Sequence, residues 1–114
     1  MQIEHNKASV GGGIGGTGSV TLQFYENVWL KYNMAVSGGA IGTNDAVVSL
    51  TATKLLRVED NKASYGGAIH LNSTYGNIRG LWVENNIAAK SGGGIGVVNS
   101  TLTMSNINCY KNNN

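Results

Sequence analysis

Apolar and polar residues alternate in short blocks along this chain, and the blocks return at a nearly fixed interval. Val28-Trp29-Leu30, Leu56-Arg57-Val58, Leu81-Trp82-Val83 and Ile107-Asn108-Cys109 each read apolar, outward, apolar. Such period-two alternation predicts a strand with one face buried. A further strand is expected just before each block, at Leu22-Gln23-Phe24, Leu50-Thr51-Ala52 and Leu102-Thr103-Met104, with a weaker copy at Gly76-Asn77-Ile78. After each opening block comes an Asn, an Ala two residues on, and a glycine-rich tetrapeptide ending in Ile. Asn6-Lys7-Ala8 leads to Gly11-Gly12-Gly13-Ile14, and Asn33-Met34-Ala35 to Gly38-Gly39-Ala40-Ile41. Asn61-Lys62-Ala63 leads to Gly66-Gly67-Ala68-Ile69, and Asn86-Ile87-Ala88 to Gly92-Gly93-Gly94-Ile95. A third strand is expected through these tetrapeptides, with Ile14, Ile41, Ile69 and Ile95 inward.

The repeat has the length of a solenoid coil. Asn6, Asn33, Asn61, Asn86 and Asn112 are separated by 27, 28, 25 and 26 residues. Periods of this size mean that one coil is the structural unit and that neighbours share a continuous core. The chain is therefore read as all-β, a parallel β-helix of about four coils of 25–28 residues with three short strands each, forming a single domain over 1–114. Parallel pairing needs a long connection between partners, and the rest of each coil supplies it.

Each repeated residue then has a physical task. The Asn falls at a corner, where its amide can bond the Asn of the next coil and its backbone can turn left-handed. The following Ala is small because the inside of a corner is cramped. Gly12, Gly39, Gly67 and Gly93 let backbones approach where a Cβ would interfere. The Ile, Leu and Val columns suit a packed, pleated surface.

Composition agrees with this picture. The chain has 17 Gly, 15 Asn and no Pro, which disfavours long helices and favours turns. Charged residues are only 12% and the net charge is +2, so nothing indicates a nucleic-acid partner. No apolar run is long enough to insert into a membrane, and no secretion signal is visible at the N-terminus. Cys109 occupies the inward position of Ile3, Leu30, Val58 and Val83, so it reads as a small buried hydrophobe. A reactive or intermolecular thiol is the alternative if the last coil is open to solvent.

The Gly-Gly-Ala-Ile tetrapeptides at 38–41 and 66–69 resemble the signature of the chlamydial polymorphic outer-membrane protein repeat. That family pairs Gly-Gly-Ala-(Ile/Leu) with Phe-x-x-Asn. Here the Asn spacing is present with Ile3, Leu30, Val58, Val83 and Cys109 in place of the aromatic residue, and two tetrapeptides read Gly-Gly-Gly-Ile. The resemblance covers the whole chain as repeats. It implies a right-handed parallel β-helix displayed outside the cell or on its surface, often as an autotransporter passenger, with adhesive or structural roles and no catalytic residues.

Candidate chemistry is sparse. Gly11-x-Gly13-x-x-Gly16 and Gly13-x-Gly15-x-x-Gly18 fit the dinucleotide fingerprint, but no hydrophobic strand precedes them in a βαβ unit and no helix-forming run follows, so no cofactor is expected. Carbohydrate-active β-helix enzymes need clustered carboxylates. This chain has only Asp45, Asp60 and four Glu, of which Glu4, Glu59 and Glu84 share one outward column with Lys31. Lys31 is expected to relieve Glu4 and Glu59, leaving Glu59 and Glu84 as adjacent like charges. A calcium site there would lack a third carboxylate of its own coil. His5 and His70 fall at different repeat positions and cannot stack. Thr21, Thr51 and Thr103 do not keep one register, which argues against an ice-binding array. Asn72-Ser73-Thr74 and Asn99-Ser100-Thr101 match the N-glycosylation acceptor pattern.

The outward column Trp29, Arg57, Trp82 and Asn108 is the most suggestive. A guanidinium between two indoles would staple the sheet face through cation–π contacts. The other reading is an exposed aromatic strip for glycan or protein contact.

Neither end of the chain carries a capping pattern. An unfinished coil at 107–114 would meet a first coil at 3–14 if copies stack head to tail into a filament; otherwise the chain continues as part of a longer solenoid. The expected function is a non-enzymatic extracellular structural or adhesive solenoid, self-associating end to end. Glycans or host and cell-surface proteins are its other expected partners. A glycan-binding or polysaccharide-processing module of a secreted protein is the alternative.

Overall fold

Stacked coils are what the repeat builds. The computed structural model describes residues 1–113; Asn114, the last residue of the expected unfinished coil, lies outside them. After a short β1 (Gln2–Glu4), the first coil contains β2 (Lys7–Val10), β3 (Ile14–Phe24) and β4 (Val28–Lys31). The second contains β5 (Met34–Ser37) and β6 (Ile41–Glu59), in which two strands merge. The third contains β7 (Lys62–Tyr65), β8 (Ile69–Asn72) and β9 (Tyr75–Glu84). The fourth contains β10 (Ile87–Ser91), β11 (Ile95–Val98) and β12 (Thr101–Tyr110). Every strand pair is parallel, and each strand pairs with its equivalent one coil away. The chain is thus a parallel β-solenoid of about four turns.

The residues are divided among the strands differently from the alternation pattern. The segment between each Asn and its glycines forms a separate four-stranded sheet, in the order β10-β7-β5-β2. Its Ala35, Ala63 and Ala88 point inward from that sheet rather than filling a corner. The glycine pairs turn the next corner, and the new strand starts at the Ile. The blocks around Ile78 and Leu81, expected as two strands, lie on the one strand β9.

Three corners per coil give the triangular section, and each holds a left-handed residue. The glycine corner uses Gly11, Gly38, Gly66 and Gly92, with φ of 62, 68, 60 and 66°. A Cβ on Gly38 would also strike the carbonyl of Ile41, so glycine is required there twice over. At the Asn corner the left-handed residue is not the Asn, as expected, but the one before it: His5, Tyr32, Asp60, Asn85 and Lys111, with φ of 52–59°. The third corner uses Gly18, Asp45, Ser73 and Asn99.

The Asn side chains form a ladder through all five positions. Asn33 Nδ2 and its backbone N both donate to Asn61 Oδ1, at 3.1 and 2.9 Å. Asn61 Nδ2 and N donate to Asn86 Oδ1 at 3.0 and 2.9 Å. The same pattern joins Asn6 to Asn33 and Asn86 to Asn112. Each Nδ2 from Asn33 onward also donates to a carbonyl of the preceding coil, on Ile3, Leu30, Val58 and Val83 in turn. Asn33, Asn61 and Asn86 are buried, so these bonds satisfy groups that water cannot reach.

Inside the triangle, like packs on like. Ile14, Ile41, Ile69 and Ile95 align, as do Ile3, Leu30, Val58, Val83 and Cys109. Leu30, Leu56, Ile69 and Val83 are fully buried, each contributing on the order of 1.5–3 kcal/mol. One expected register is corrected. Leu22 and Leu50 align with Ile78 and Met104, while Leu102 aligns with Gly76, Val48 and Val20. The cause is an outward excursion before the opening block: coil 2 has Ala52–Leu55 where coil 3 has only Gly80. Together with a residue fewer near Gly16 in coil 1 and a residue more after Ala88 in coil 4, this accounts for the uneven Asn spacings.

Candidate functional site

The outward column is assembled as its spacing predicts, but its chemistry is one-sided. Gln2, Trp29, Arg57, Trp82 and Asn108 occupy equivalent positions on successive coils. The Arg57 guanidinium lies 5.7 Å from the centroid of the Trp82 ring. Among the described residues no such contact reaches Trp29, so the expected sandwich between two indoles is half made. Arg57 Nη1 also stands 3.6 Å from Glu59 Oε2, and Trp82 Nε1 donates to Glu84 Oε2 at 2.9 Å. Arg57 Nε is buried without a partner among the described residues.

These contacts correct the reading of the carboxylate column. Glu4, Lys31, Glu59 and Glu84 do align. Lys31 contacts Glu4 at 3.6 Å, and Glu59 is taken up by Arg57 instead. The adjacent Glu59 and Glu84 therefore each have a partner two residues back on their own strand. A partly exposed ion pair contributes little by itself, so these contacts orient side chains more than they stabilise the coil. Among the described residues no group of three His, Cys, Asp or Glu is placed to hold a metal ion.

The lip is the feature that sequence reasoning missed. In coils 1 and 2 the chain leaves the triangle before β4 and before the equivalent part of β6. Lys54 Nζ meets Glu26 Oε2 at 2.8 Å, Thr53 Oγ1 donates to the Phe24 carbonyl at 3.2 Å, and Leu55 N donates to Asn27 Oδ1 at 3.3 Å. Coils 3 and 4 turn the same point with Gly80 and Asn106, at φ of 85 and 52°. The lip therefore ends in a step. At its foot is a notch of about 280 Å³ lined by Ala52–Leu55, Gly80–Trp82, Asn106 and Asn108. The unequal spacings of 27 and 28 against 25 and 26 carried the signal, but they do not say where the extra residues lie. A second hollow, of about 400 Å³, lies between Trp82 and residues 107–110.

The remaining candidates fall elsewhere. Cys109, expected buried, is exposed: it is the last member of its column and has Val83 on one side only. Partial desolvation nonetheless raises its thiol pKa, which opposes thiolate formation. His5 stacks on Tyr32 at the Asn corner, with ring centroids 5.2 Å apart. His70 is 8% exposed on another face, its Nδ1 has no partner among the described residues, and burial lowers its pKa. Thr51 aligns with Gln23 and Arg79, whereas Thr21 and Thr103 share a different column, so the threonines form no single array. Of the two acceptor triplets, Asn99 is exposed and Asn72 half-buried, with Thr74 locked against Thr43 at 2.9 Å. Among the described residues no helix is long and apolar enough to cross a membrane.

The fold and this face define a class, a parallel β-solenoid with a stepped lateral face. No known protein family matches the chain, and comparison with curated proteins and with solved structures finds no match.

Proposed function

We propose that this chain is a non-enzymatic structural or adhesive solenoid that acts outside the cell or on its surface, and that its copies associate along the coil axis. The observation that supports this reading is the continuity of the columns. The Asn ladder and the apolar columns continue into the outermost coils, where Ile3, Ile14, Val20, Leu22, Ile95, Leu102 and Ile107 are only partly buried. Strand edges of this kind template another strand. Their complementary occupant is a further coil, from continuing chain or from a second copy. The likeness to the polymorphic outer-membrane protein repeat supports placement at the cell surface.

Electron microscopy and sedimentation test the association. Filaments with an axial repeat of roughly 20 Å, four strand spacings, are expected to lengthen with concentration. A charge placed in the end column by Leu102→Lys is expected to leave single particles. Monodisperse particles at every concentration would overturn axial association.

Glycan contact is the second reading, and Trp82 beside the notch favours it. Polysaccharide processing has less support, because Glu59 and Glu84 are already engaged by Arg57 and Trp82.

A further inference from the structure

We infer that the notch at the foot of the lip is a binding site for a neutral saccharide, with a sugar ring seated on the open side of the Trp82 indole and its hydroxyls held by the amides of Asn106 and Asn108. This rests on the glycan-contact reading and gives it a place, a ligand class and an orientation.

The argument begins with what the notch has available. Its cation, Lys54, is paired with Glu26 across the lip at 2.8 Å. The indole N–H of Trp82 is committed to Glu84. The nearby Arg57 is shared between Glu59 and one side of the Trp82 ring. Charge is thus balanced within the protein, and an anionic ligand would have to displace an existing partner. Among the residues that line the notch, what remains free is uncharged; the exposed Arg79 lies on the strand beyond it. Asn106 and Asn108 are exposed, and among the described residues their amides have no partner. An amide offers both donors and an acceptor, which matches a hydroxyl, itself donor and acceptor.

The walls suit the other aspect of a sugar. Ala52 and Leu55 contribute apolar surface beside the backbone of Gly80 and Leu81, and the Trp82 ring presents a flat face. Arg57 occupies the coil-2 side of that ring, and Asn108 is the neighbour on the coil-4 side. A sugar's C–H face therefore stacks from the coil-4 side, where the amides are. At about 280 Å³ the notch is just below the roughly 300 Å³ lower bound of drug-sized pockets. It holds one ring or a short segment, not a whole oligosaccharide. Beyond it, β9 continues with Arg79, Asn77 and Tyr75 exposed. The seven residue steps from Trp82 back to Tyr75 give a track of roughly 23 Å along which a longer glycan can lie.

The lip explains why this occurs once. Trp29 has the same repeat position but follows the lip of its own coil, so no step opens beside it. Trp82 is the first aromatic residue of the column past the step.

The test is calorimetric titration of the full chain with neutral hexamers of β-linked glucose and of galactose, and separately with polygalacturonate. Saturable binding of a neutral hexamer is expected. Trp82→Ala should weaken it about tenfold, the factor that ~1.4 kcal/mol represents. Because Trp82→Ala also frees Arg57 and Glu84, the double variant Asn106→Gly, Asn108→Ala provides an independent check. Glycine keeps the left-handed backbone at 106, so the fold is retained while both amides are lost, and binding should again fall about tenfold. Trp29→Ala should bind as the parent does. Neutral binding that survives both notch variants would overturn the assigned site while leaving glycan contact standing. Binding of polygalacturonate alone would overturn the assigned chemistry. Binding of no saccharide would overturn the site and the glycan-contact reading together, while axial association is judged separately by microscopy.

Discussion

The Asn corner and the Trp82 face are made by the same turns of chain, yet they follow opposite rules. At the corner, Asn6, Asn33, Asn61, Asn86 and Asn112 repeat one side chain and one set of bonds. On the face, Gln2, Trp29, Arg57, Trp82 and Asn108 repeat only the position. The difference follows from burial. A buried amide must find its partners within the protein, so its neighbours above and below must be the same residue. An outward side chain has water as an alternative partner, so each coil is free to differ. In a solenoid the identity of a residue across coils therefore reports its structural task, and variation across coils marks the surface on which function is placed.

The contrast is broken most severely by removing an inner rung. Asn61→Ala takes the acceptor from Asn33 N and Nδ2 and the donor from the Leu30 carbonyl. These groups are buried, and each unsatisfied one costs ~1–3 kcal/mol. A loss of about 3 kcal/mol or more is expected, read as a denaturation midpoint lower by ~10 °C or more. The same change at the exposed end rung, Asn6→Ala, should cost under about 1 kcal/mol, since water can replace what is lost. Equal losses at both positions would mean that the ladder is not graded by burial.

His70 tests the rule from the side of an outward residue that has become buried. It lies between Gly42 and Gly96 of the neighbouring coils, close to Tyr65, over whose ring Lys90 is placed. Burial lowers its pKa, so the folded state favours the neutral ring. The unfolded chain binds the proton near the ordinary value of 6.5, and the folded chain only at lower pH. Stability contributed by this group is therefore flat above pH ~6.5 and falls as pH drops below it. Denaturation at pH 7.5 and 5 should show a drop that His70→Gln removes. A pH dependence unchanged by that variant would assign it to another group.

Much of this fold could be read from the sequence, and the failures have a common physical origin. The columns through Ile41 and Leu30 were legible because inward residues repeat. The need for glycine was legible in its backbone freedom and close approach, but its place was not: the tetrapeptides, expected within a strand, turn a corner ahead of it. The Asn corner was legible for its ladder but not for its backbone: the left-handed residues His5, Tyr32, Asp60, Asn85 and Lys111 share no chemistry. The bonds made by the following Asn impose that conformation, so the residue that bears it carries no signal. The register around Leu102 and the burial of Cys109 were misread for related reasons. Both depend on which residue lies one coil away, and a three-residue excursion or a missing neighbour changes that without altering the local alternation. The notch was hidden for the same reason, since a step exists only between coils of unequal length.

The weakest expected effect belongs to the lip itself. Lys54 and Glu26 form its shortest ion pair, but both side chains are mostly exposed, at 55 and 77%. Solvent and salt screen such a pair, and its contribution is expected to be below ~1 kcal/mol. The bonds from Thr53 Oγ1 to the Phe24 carbonyl and from Leu55 N to Asn27 Oδ1 remain when the pair is removed. Lys54→Ala should therefore shift the denaturation midpoint very little, while leaving the step, and with it the notch, in place. Saccharide titration of the same variant then separates two roles. Unchanged affinity would agree with a neutral ligand held by amides and the indole. A loss of affinity with no loss of stability would make the Lys54 ammonium part of the site, and the ligand an acid.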